Sequence, residues 1–431
     1  MTKQRIAAAI LLLALAQAGC TSRPASAPAT PASPTAEPTA PAPAPGPVNQ
    51  ASPPPSKTEP TPPATSPPID LMQVRASRDL TMEQLVQGLD AYLNARKDSP
   101  TKKLGALYAH WGLKENAGQG LKNILFTEAD LNGDGTPETV TALNARGRAG
   151  TEGAVAVIAW QENAFVLDRT TGGGEPGVGA PREAVLLGVR DVTGDGHPDI
   201  IWASPDHGAH TSYAYFFVTQ WEPRKVTTLP GTIYMSFPEA TFDGQDLLLH
   251  GGTIGSAGAG TLQRAYTDRY RYRDGQMTRV DRQYDSSDFS YHRLQDGLVA
   301  EQYGRTDDAL PAYRGALNTP EGKDMESVPP EWQERFRQAV PAFARFRLGL
   351  LLFRTNKPGE AERVLKETTG PYAGLSEALR KAGGPEPGCQ AAANWAEANP
   401  EFLEALNSPW GYANPKWKAN SLCDQALPPA E

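Results

Sequence analysis

The chain has 431 residues, a formal net charge of -8 and a sequence pI of about 5.5. Its acidic balance gives little electrostatic attraction to a phosphate backbone, so we expect no nucleic-acid partner. Roughly 360 residues follow the two N-terminal segments described next, which is enough to bury two or three hydrophobic cores.

The N-terminus has the pattern of an export signal. Lys3 and Arg5 precede an apolar run over residues 6–16, which is too short to cross a bilayer as a mature helix. We therefore expect a signal peptide over residues 1–20. Its ending, Gln17-Ala18-Gly19-Cys20, resembles the lipobox of bacterial lipoproteins, and the resemblance implies lipidation of Cys20, with plain secretory cleavage as the alternative. The expected location is the cell envelope, as an outer-membrane or surface lipoprotein that contacts the membrane only through its lipid.

Residues 21–70 have the composition of a spacer. They contain 17 of the 40 prolines, interleaved with Ala, Ser and Thr, and almost no large apolar side chain. Such a segment cannot bury a core, so we expect a disordered stalk with polyproline II character. At ~3.1 Å per residue it reaches at most about 150 Å.

Residues 71–120 have helical periodicity. The sequence Thr81-Met82-Glu83-Gln84 has the form of a capping box at a helix N-terminus. Apolar residues at helical spacing follow in two groups: Leu85, Leu89, Tyr92 and Leu93, then Leu104, Leu107, Tyr108 and Trp111. We expect two helices that pack on a core.

From residue 121 to 286 the apolar pattern shifts towards a period of two. Runs such as 154–160 and 213–218 are rich in β-branched and aromatic residues, and Asp274-Gly275 is a typical hairpin turn. This region is predicted to be an antiparallel β domain. The whole chain is therefore expected to be α+β, with a β domain between N-terminal helices and a C-terminal helical domain.

Two nine-residue segments in the β region, 130–138 and 191–199, have the same layout and begin 61 positions apart. Each places oxygen-bearing side chains at positions 1, 3, 5 and 9, a glycine at position 6 that permits a sharp bend, and a carbonyl at position 7. That spacing suits Ca²⁺. The residues are Asp130, Asn132, Asp134, Thr136 and Glu138, then Asp191, Thr193, Asp195, His197 and Asp199. Strand-forming residues follow each segment, and no glutamate stands at position 12, so neither is an EF-hand.

These segments resemble FG-GAP/VCBS repeats, the calcium-loop blades of integrin-type β-propellers. The resemblance implies Ca²⁺-ligand roles for their Asp, Asn and Glu side chains, whereas Thr193 departs from the pattern. A third copy with a decayed loop is expected at residues 242–246. Three blades are too few to close a propeller, so we expect a partial propeller, an open blade stack, or a form completed by a partner or by the flanking helices. The alternative is a pair of ordinary turns that need no metal.

Residues 287–431 return to helical periodicity. Small and aromatic residues stand where tetratricopeptide repeats place them: Gly297, Gly304, Ala309, Tyr313 and Ala316, then Leu348, Gly349, Gly359, Ala361 and Leu365. Small side chains let antiparallel helices approach closely. The region therefore resembles tetratricopeptide hairpins, with plain helical hairpins as the alternative. Cys389 and Cys423 are expected to form a disulfide, because the chain is exported.

No catalytic motif stands out, so we expect a protein that is not an enzyme. The expected function is a calcium-stabilised binding or scaffolding module that binds an envelope protein or peptide through its helical domain. Tyr and Arg alternate over residues 266–273, and we expect an ordinary exposed β-hairpin there, although the same pattern suits a surface that binds a glycan or an anion. The alternative to a binding module is a glycan- or peptidoglycan-active enzyme with its site in the β domain.

Overall fold

The structure is a computed structural model. It describes residues 68–95, 98–115, 120–147, 150–170, 181–208, 210–231, 233–254, 263–318, 320–321, 323–326, 328–407 and 416–427. The expected signal peptide, Cys20 and the stalk up to residue 67 lie outside these residues. In the part that is described, no helix is both long and apolar enough to cross a membrane.

Two helices open the described chain, α1 (Met82–Asn94) and α2 (Pro100–His110), after short 3₁₀ turns at Leu71–Gln73 and Ser77–Asp79. The expected capping box is present. The Thr81 hydroxyl accepts a hydrogen bond from the Gln84 amide at 3.3 Å, and the Gln84 side chain accepts one from the Thr81 amide at 3.0 Å. These bonds satisfy amide groups that a helix N-terminus leaves without intrahelical partners, and so fix where α1 begins.

Strands β1 to β13 form three antiparallel sheets. The first has the order β1 (Phe126–Ala129), β2 (Glu138–Gly147), β3 (Gly150–Gln161) and β4 (Ala164–Arg169). The second has β5 (Val185–Arg190), β6 (Asp199–His207), β7 (Ser212–Glu222) and β8 (Lys225–Thr228), and β9 (Ile233–Ser236) also pairs with β7. The third has β10 (Glu239–Asp243), β11 (Asp246–Gly251), β12 (Tyr266–Arg273) and β13 (Gln276–Tyr284). The α+β class with antiparallel sheets is confirmed, and the described strands form no closed barrel.

The first two sheets are buried on both faces. In β3, residues 154, 156 and 158 pack in one core with α1 and α2, while residues 155, 157 and 159 pack in another with β5 and β6. Similarly, Ile200 and Trp202 face the first sheet, whereas Ile201 and Ala203 face the third. Because successive side chains of a strand point to opposite faces, burial of both faces requires continuous apolar runs. This explains why 154–159 and 200–203 lack polar alternation.

Helices form the rest of the described chain: α3 (Ser290–Gln302), α4 (Thr306–Gly315), α5 (Lys323–Glu326), α6 (Pro330–Arg354), α7 (Pro358–Lys366), α8 (Ala373–Ala382), α9 (Pro385–Ala398) and α10 (Pro400–Asn407), with a 3₁₀ turn at Ala419–Ser421. Helices α3 and α4 cross closely. A Cβ on Gly297 would lie 2.4 Å from the Tyr313 ring, and one on Gly349 would lie 2.5 Å from the Leu365 side chain. A larger residue at either crossing would therefore force the facing side chain to move.

A buried ionic cluster, the C-terminal clasp, ties residues 422–424 to these helices. The fully buried Arg347 donates to the Glu301 carboxylate at 2.7 Å and to the carbonyls of Leu422 and Asp424 at 2.9 and 2.8 Å. Arg354 donates to the other Glu301 oxygen at 3.2 Å and to the Cys423 carbonyl at 2.9 Å. A disulfide joins Cys423 to Cys389, the pair expected from the sequence.

Candidate functional site

The two predicted calcium loops occupy the same place in two sheets. Residues 130–137 join β1 to β2, and residues 191–198 join β5 to β6, so each loop connects the first and second strands of its sheet. In the third sheet the same connection is a tight turn, Gly244-Gln245, between β10 and β11. The sequence repeat is therefore also a repeat of position within the fold.

The first loop is folded by side chains that accept backbone hydrogen bonds. Asp130 Oδ2 accepts from the Gly135 amide at 2.9 Å, and Asn132 Oδ1 accepts from the Asp134 amide at 2.9 Å. Asp134 Oδ1 accepts from the Thr136 amide at 2.7 Å, and this bond is the main reason that the pKa of Asp134 is lowered. The Asn132 side-chain amide also donates to Asp134 Oδ2 at 2.9 Å, so the side chains at positions 3 and 5 lie together.

The second loop repeats this pattern. Asp191 accepts from the amides of Gly194 and Gly196 at 2.5 and 3.1 Å, and Asp195 accepts from the His197 amide at 2.8 Å. In both loops the carboxylate at position 1 therefore holds the amide of the glycine at position 6. Gly135 and Gly196 have φ of 85° and 90°, a conformation that L side chains rarely adopt.

The carboxylates at position 9 close each loop from inside the fold. Glu138 Oε2 accepts from the Leu131 amide at 2.9 Å, and Asp199 Oδ2 accepts from the amides of Val192 and Thr193 at 2.9 and 3.0 Å. Both carboxylates are buried, and loss of hydration raises the pKa of each. The Thr193 hydroxyl also donates to Asp199 Oδ2 at 3.0 Å. Thr193 is thus placed as a donor to a neighbouring carboxylate rather than as an evident cation ligand.

One carboxylate oxygen in each loop has no hydrogen-bond partner. Asp130 Oδ1 and Asp199 Oδ1 are both buried and unpartnered, and Asp199 as a whole is 1% exposed. A buried carboxylate oxygen normally receives a donor or a cation, because it has lost its hydration. A cation bound at each loop would compensate one of these two oxygens. The residues present therefore fit a bound cation.

The two loops touch one another. A Cβ on Gly133 would lie 3.0 Å from the imidazole Cε1 of His197, so the ring of the second loop lies against the backbone of the first. A cavity of about 320 Å³ lies where they meet. Its lining includes Asn132 from the first loop and Asp195, His197 and Asp199 from the second, together with Trp221 of β7. The structure thus brings the two predicted sites side by side around one cavity.

The turn of the third sheet neutralises its carboxylates differently. Arg271 donates to both oxygens of Asp246 at 2.6 Å, and Arg269 donates to Asp246 at 2.7 Å and to Asp243 at 2.8 Å. The hydrogen bond from Arg271 is the largest cause of the lowered pKa of Asp246. Arg269 and Arg271 thus supply the positive charge that a bound cation is expected to supply in the other two loops. The only sign of this ion pair in the sequence is the alternation of Arg on β12. The sequence alone does not show that these arginines contact Asp246.

Among the described residues, no three His, Cys, Asp or Glu side chains come together in the geometry of a metal site. The loops offer mixed donors, because the first set includes Asn132 and the carbonyl of Thr136, and the second includes the carbonyl of His197. No protein-family model matches the chain, and comparisons with curated proteins and with solved structures likewise find no match.

Proposed function

We propose that the chain is an envelope-anchored lipoprotein whose β region is a calcium-stabilised binding or scaffolding module. The observation that carries this proposal is the unpartnered, fully buried Oδ1 of Asp199, with Asp130 Oδ1 in the matching loop. The lipid on Cys20 would supply the anchor, and the proline-rich segment would supply the spacing. The first and second sheets share one hydrophobic core, and the second and third sheets share another. This succession of cores supports a partial propeller-like or open-stack arrangement.

Calcium would be held by residues of the two loops. In the first loop these are Asp130, Asn132, Asp134, Glu138 and the carbonyl of Thr136. In the second they are Asp191, Asp195, Asp199 and the carbonyl of His197. Calcium supplies the positive charge that two buried carboxylate oxygens otherwise lack. Its effect is to stiffen the connection between the first and second strands of each sheet.

A groove beside the helices supports binding of an envelope protein or peptide. It has a volume of about 840 Å³ and lies between the end of β13 and the α3–α4 hairpin. Its floor includes the small residues Ala300, Ala312 and Gly315. Its charged lining is balanced: Arg282, Arg293 and Arg305 with Asp288, Asp296 and Asp308. A partner with mixed charge suits such a surface better than a polyanion.

Calcium titration by calorimetry tests the proposal. The purified chain is stripped with a chelator, and binding with a dissociation constant of about 10⁻⁴ to 10⁻³ M is expected, as in other extracellular modules. Asp199→Asn should remove the second site while keeping the side-chain shape. Asp243→Asn, a matched change in the arginine-bound turn, should leave calcium binding unchanged. Wild-type protein that takes up no calcium at millimolar concentration would contradict the proposal.

A second candidate is a glycan- or peptidoglycan-active enzyme. The observation that favours it is the cavity of about 320 Å³ beside the second loop, whose lining includes Asp195, His197 and Asp199. A cation held there could contact a substrate as well as the protein. Incubation of the calcium-loaded chain with isolated peptidoglycan, followed by chromatography of soluble fragments, distinguishes the two functions. Fragment release that Asp195→Asn abolishes would favour the enzyme.

A further inference from the structure

The second sheet has a strand that its neighbours lack. The first and third sheets have four strands each, whereas β9 adds a fifth strand to the second. It pairs with the first half of β7, and β8 pairs with the second half. This added strand places Tyr234 beside Tyr215 and Ser236 beside Tyr213.

Residues on one face of β6, β7 and β9 form two rows at this end of the sheet. The register gives Ser204, Tyr215 and Tyr234 in one row, and Asp206, Tyr213 and Ser236 in the other. The three tyrosine rings contact one another, with centroids 5.4 to 5.9 Å apart. We call Tyr213, Tyr215, Tyr234 and Asp206 the tyrosine shelf.

Packing does not account for the shelf. On the same face, Trp202 and Phe217 stack at 4.3 Å and help to fill the core between the first two sheets. Further along the strands, core residues give way to the tyrosines, and Tyr234 is 45% exposed. A tyrosine that contacts two others yet keeps nearly half its surface in water offers an apolar ring face to a ligand.

The polar groups of the shelf define the class of ligand. Asp206 accepts from the Tyr213 hydroxyl at 3.1 Å and pairs with Arg182 at 3.0 Å. Because the carboxylate and guanidinium neutralise one another, the shelf attracts neither anions nor cations strongly. A sugar ring has an apolar face that can stack on tyrosine and hydroxyls that both donate and accept. A proline-rich peptide offers mainly carbonyl acceptors, and Tyr213 already donates its proton to Asp206.

We propose that the tyrosine shelf binds an uncharged oligosaccharide, which stacks on Tyr215 and Tyr234 and forms hydrogen bonds with Asp206. This inference does not depend on calcium. Residues 199 and 206 are at opposite ends of β6, roughly 23 Å apart at about 3.3 Å per residue. The shelf therefore lies at the end of the sheet away from the second loop.

Saturation-transfer NMR and calorimetry on the full chain test the proposal, with cellotriose, maltotriose and triacetylchitotriose as probes. At least one probe should bind with a millimolar or tighter dissociation constant. Tyr234→Ala should weaken that binding roughly three- to tenfold, through loss of the stacking surface, while Tyr234→Phe should retain it. Binding should be the same in calcium and in chelator.

The matched control is Trp160→Ala. Trp160 is 48% exposed and packs on Phe165 of the first sheet, so its loss removes a comparable exposed ring elsewhere. Its removal should leave sugar binding unchanged. Failure of all three sugars to bind the wild type, or equal binding by Tyr234→Ala, would overturn the proposal. So would a synthetic proline-rich peptide that binds at the shelf when the sugars do not.

Discussion

In all three sheets, the connection between the first and second strands carries carboxylates at equivalent places. The groups that compensate the charge of these carboxylates differ from sheet to sheet. Asp246 in the third sheet has a side chain only 4% exposed and receives guanidinium donors on both oxygens. Asp199 in the second sheet receives three donors on one oxygen and none on the other. A buried carboxylate needs compensation, which can come from the chain itself or from a bound ion. The third turn is therefore compensated within the protein itself, whereas each of the first two loops keeps one buried carboxylate oxygen without a donor.

The largest expected effect comes from breaking the arginine-bound turn. Asp246→Asn removes the negative charge and replaces one of the two accepting oxygens with an NH2 group that cannot accept from Arg269 or Arg271, and bonds to charged groups contribute about 1.5–3 kcal/mol. We expect a loss of that order in the free energy of unfolding, measured with urea. The loss should be the same with calcium and with chelator, because this turn carries its own counter-charge.

Asp243→Asn is the control for that variant. The Asp243 side chain is 62% exposed and bonds to Arg269 alone, so its loss should cost less than about 1 kcal/mol. Equal losses for both aspartates would show that burial does not distinguish them. If Asp246→Asn lowered the free energy of unfolding only in calcium, the third turn would depend on calcium as the loops are expected to. The proposed difference between them would then be wrong.

Acid should weaken the third turn. Arg271 lowers the pKa of Asp246 below its unfolded value, so the folded chain binds the proton less strongly than the unfolded chain. The resulting stabilisation is fully present above the unfolded pKa of about 4 and is lost as the pH falls through the lower folded pKa. The difference in unfolding free energy between wild type and Asp246→Asn should therefore shrink from pH 5 to pH 3. A difference that grows towards low pH would reverse the assigned sign.

The smallest expected effect is that of calcium on the loops. At about 1 mM free calcium and dissociation constants of 10⁻⁴ to 10⁻³ M, each occupied site stabilises the fold by roughly 0.4–1.4 kcal/mol. This corresponds to a rise of about 1–5 °C in melting temperature. Asp134→Ala should remove the share of the first loop, and scanning calorimetry in calcium and in chelator measures it. An unchanged wild-type melting curve on chelation would show that the loops are ordinary turns.

Local features of the fold could be predicted from the sequence. The capping box at Thr81, the period-two region and the close helix crossings at Gly297 and Gly349 follow from residue size and hydrogen-bonding groups within a short stretch. The α+β class follows from the change of period along the chain. These features depend on neighbours in sequence, so a single sequence contains the information needed.

Pairings between distant residues could not be predicted. Arg271 and Asp246 are 25 positions apart, and only the register of β11 and β12 brings them together. The alternation of Tyr and Arg on β12 therefore suggested an exposed hairpin, whereas Tyr270 is buried in a core and Arg271 binds a carboxylate. Arg347 stands in the mainly apolar second half of α6, where the sequence gives no sign of a buried ion pair. The position of Tyr234 on β9 likewise could not be predicted, because only the register of β9 with β7 places it beside Tyr215.

The C-terminal clasp also makes the packing of α6 depend on a distant segment of the chain. Arg347 finds two of its acceptors 75 and 77 positions later in the chain, at Leu422 and Asp424. A buried guanidinium that loses two of its acceptors is strongly unfavourable, so α6 is expected to pack less stably when that segment is missing. A chain truncated before residue 416 should therefore retain a loosened helical region that proteases cleave. Resistance of the helical region to proteolysis thus reports whether residues 422–424 are in place.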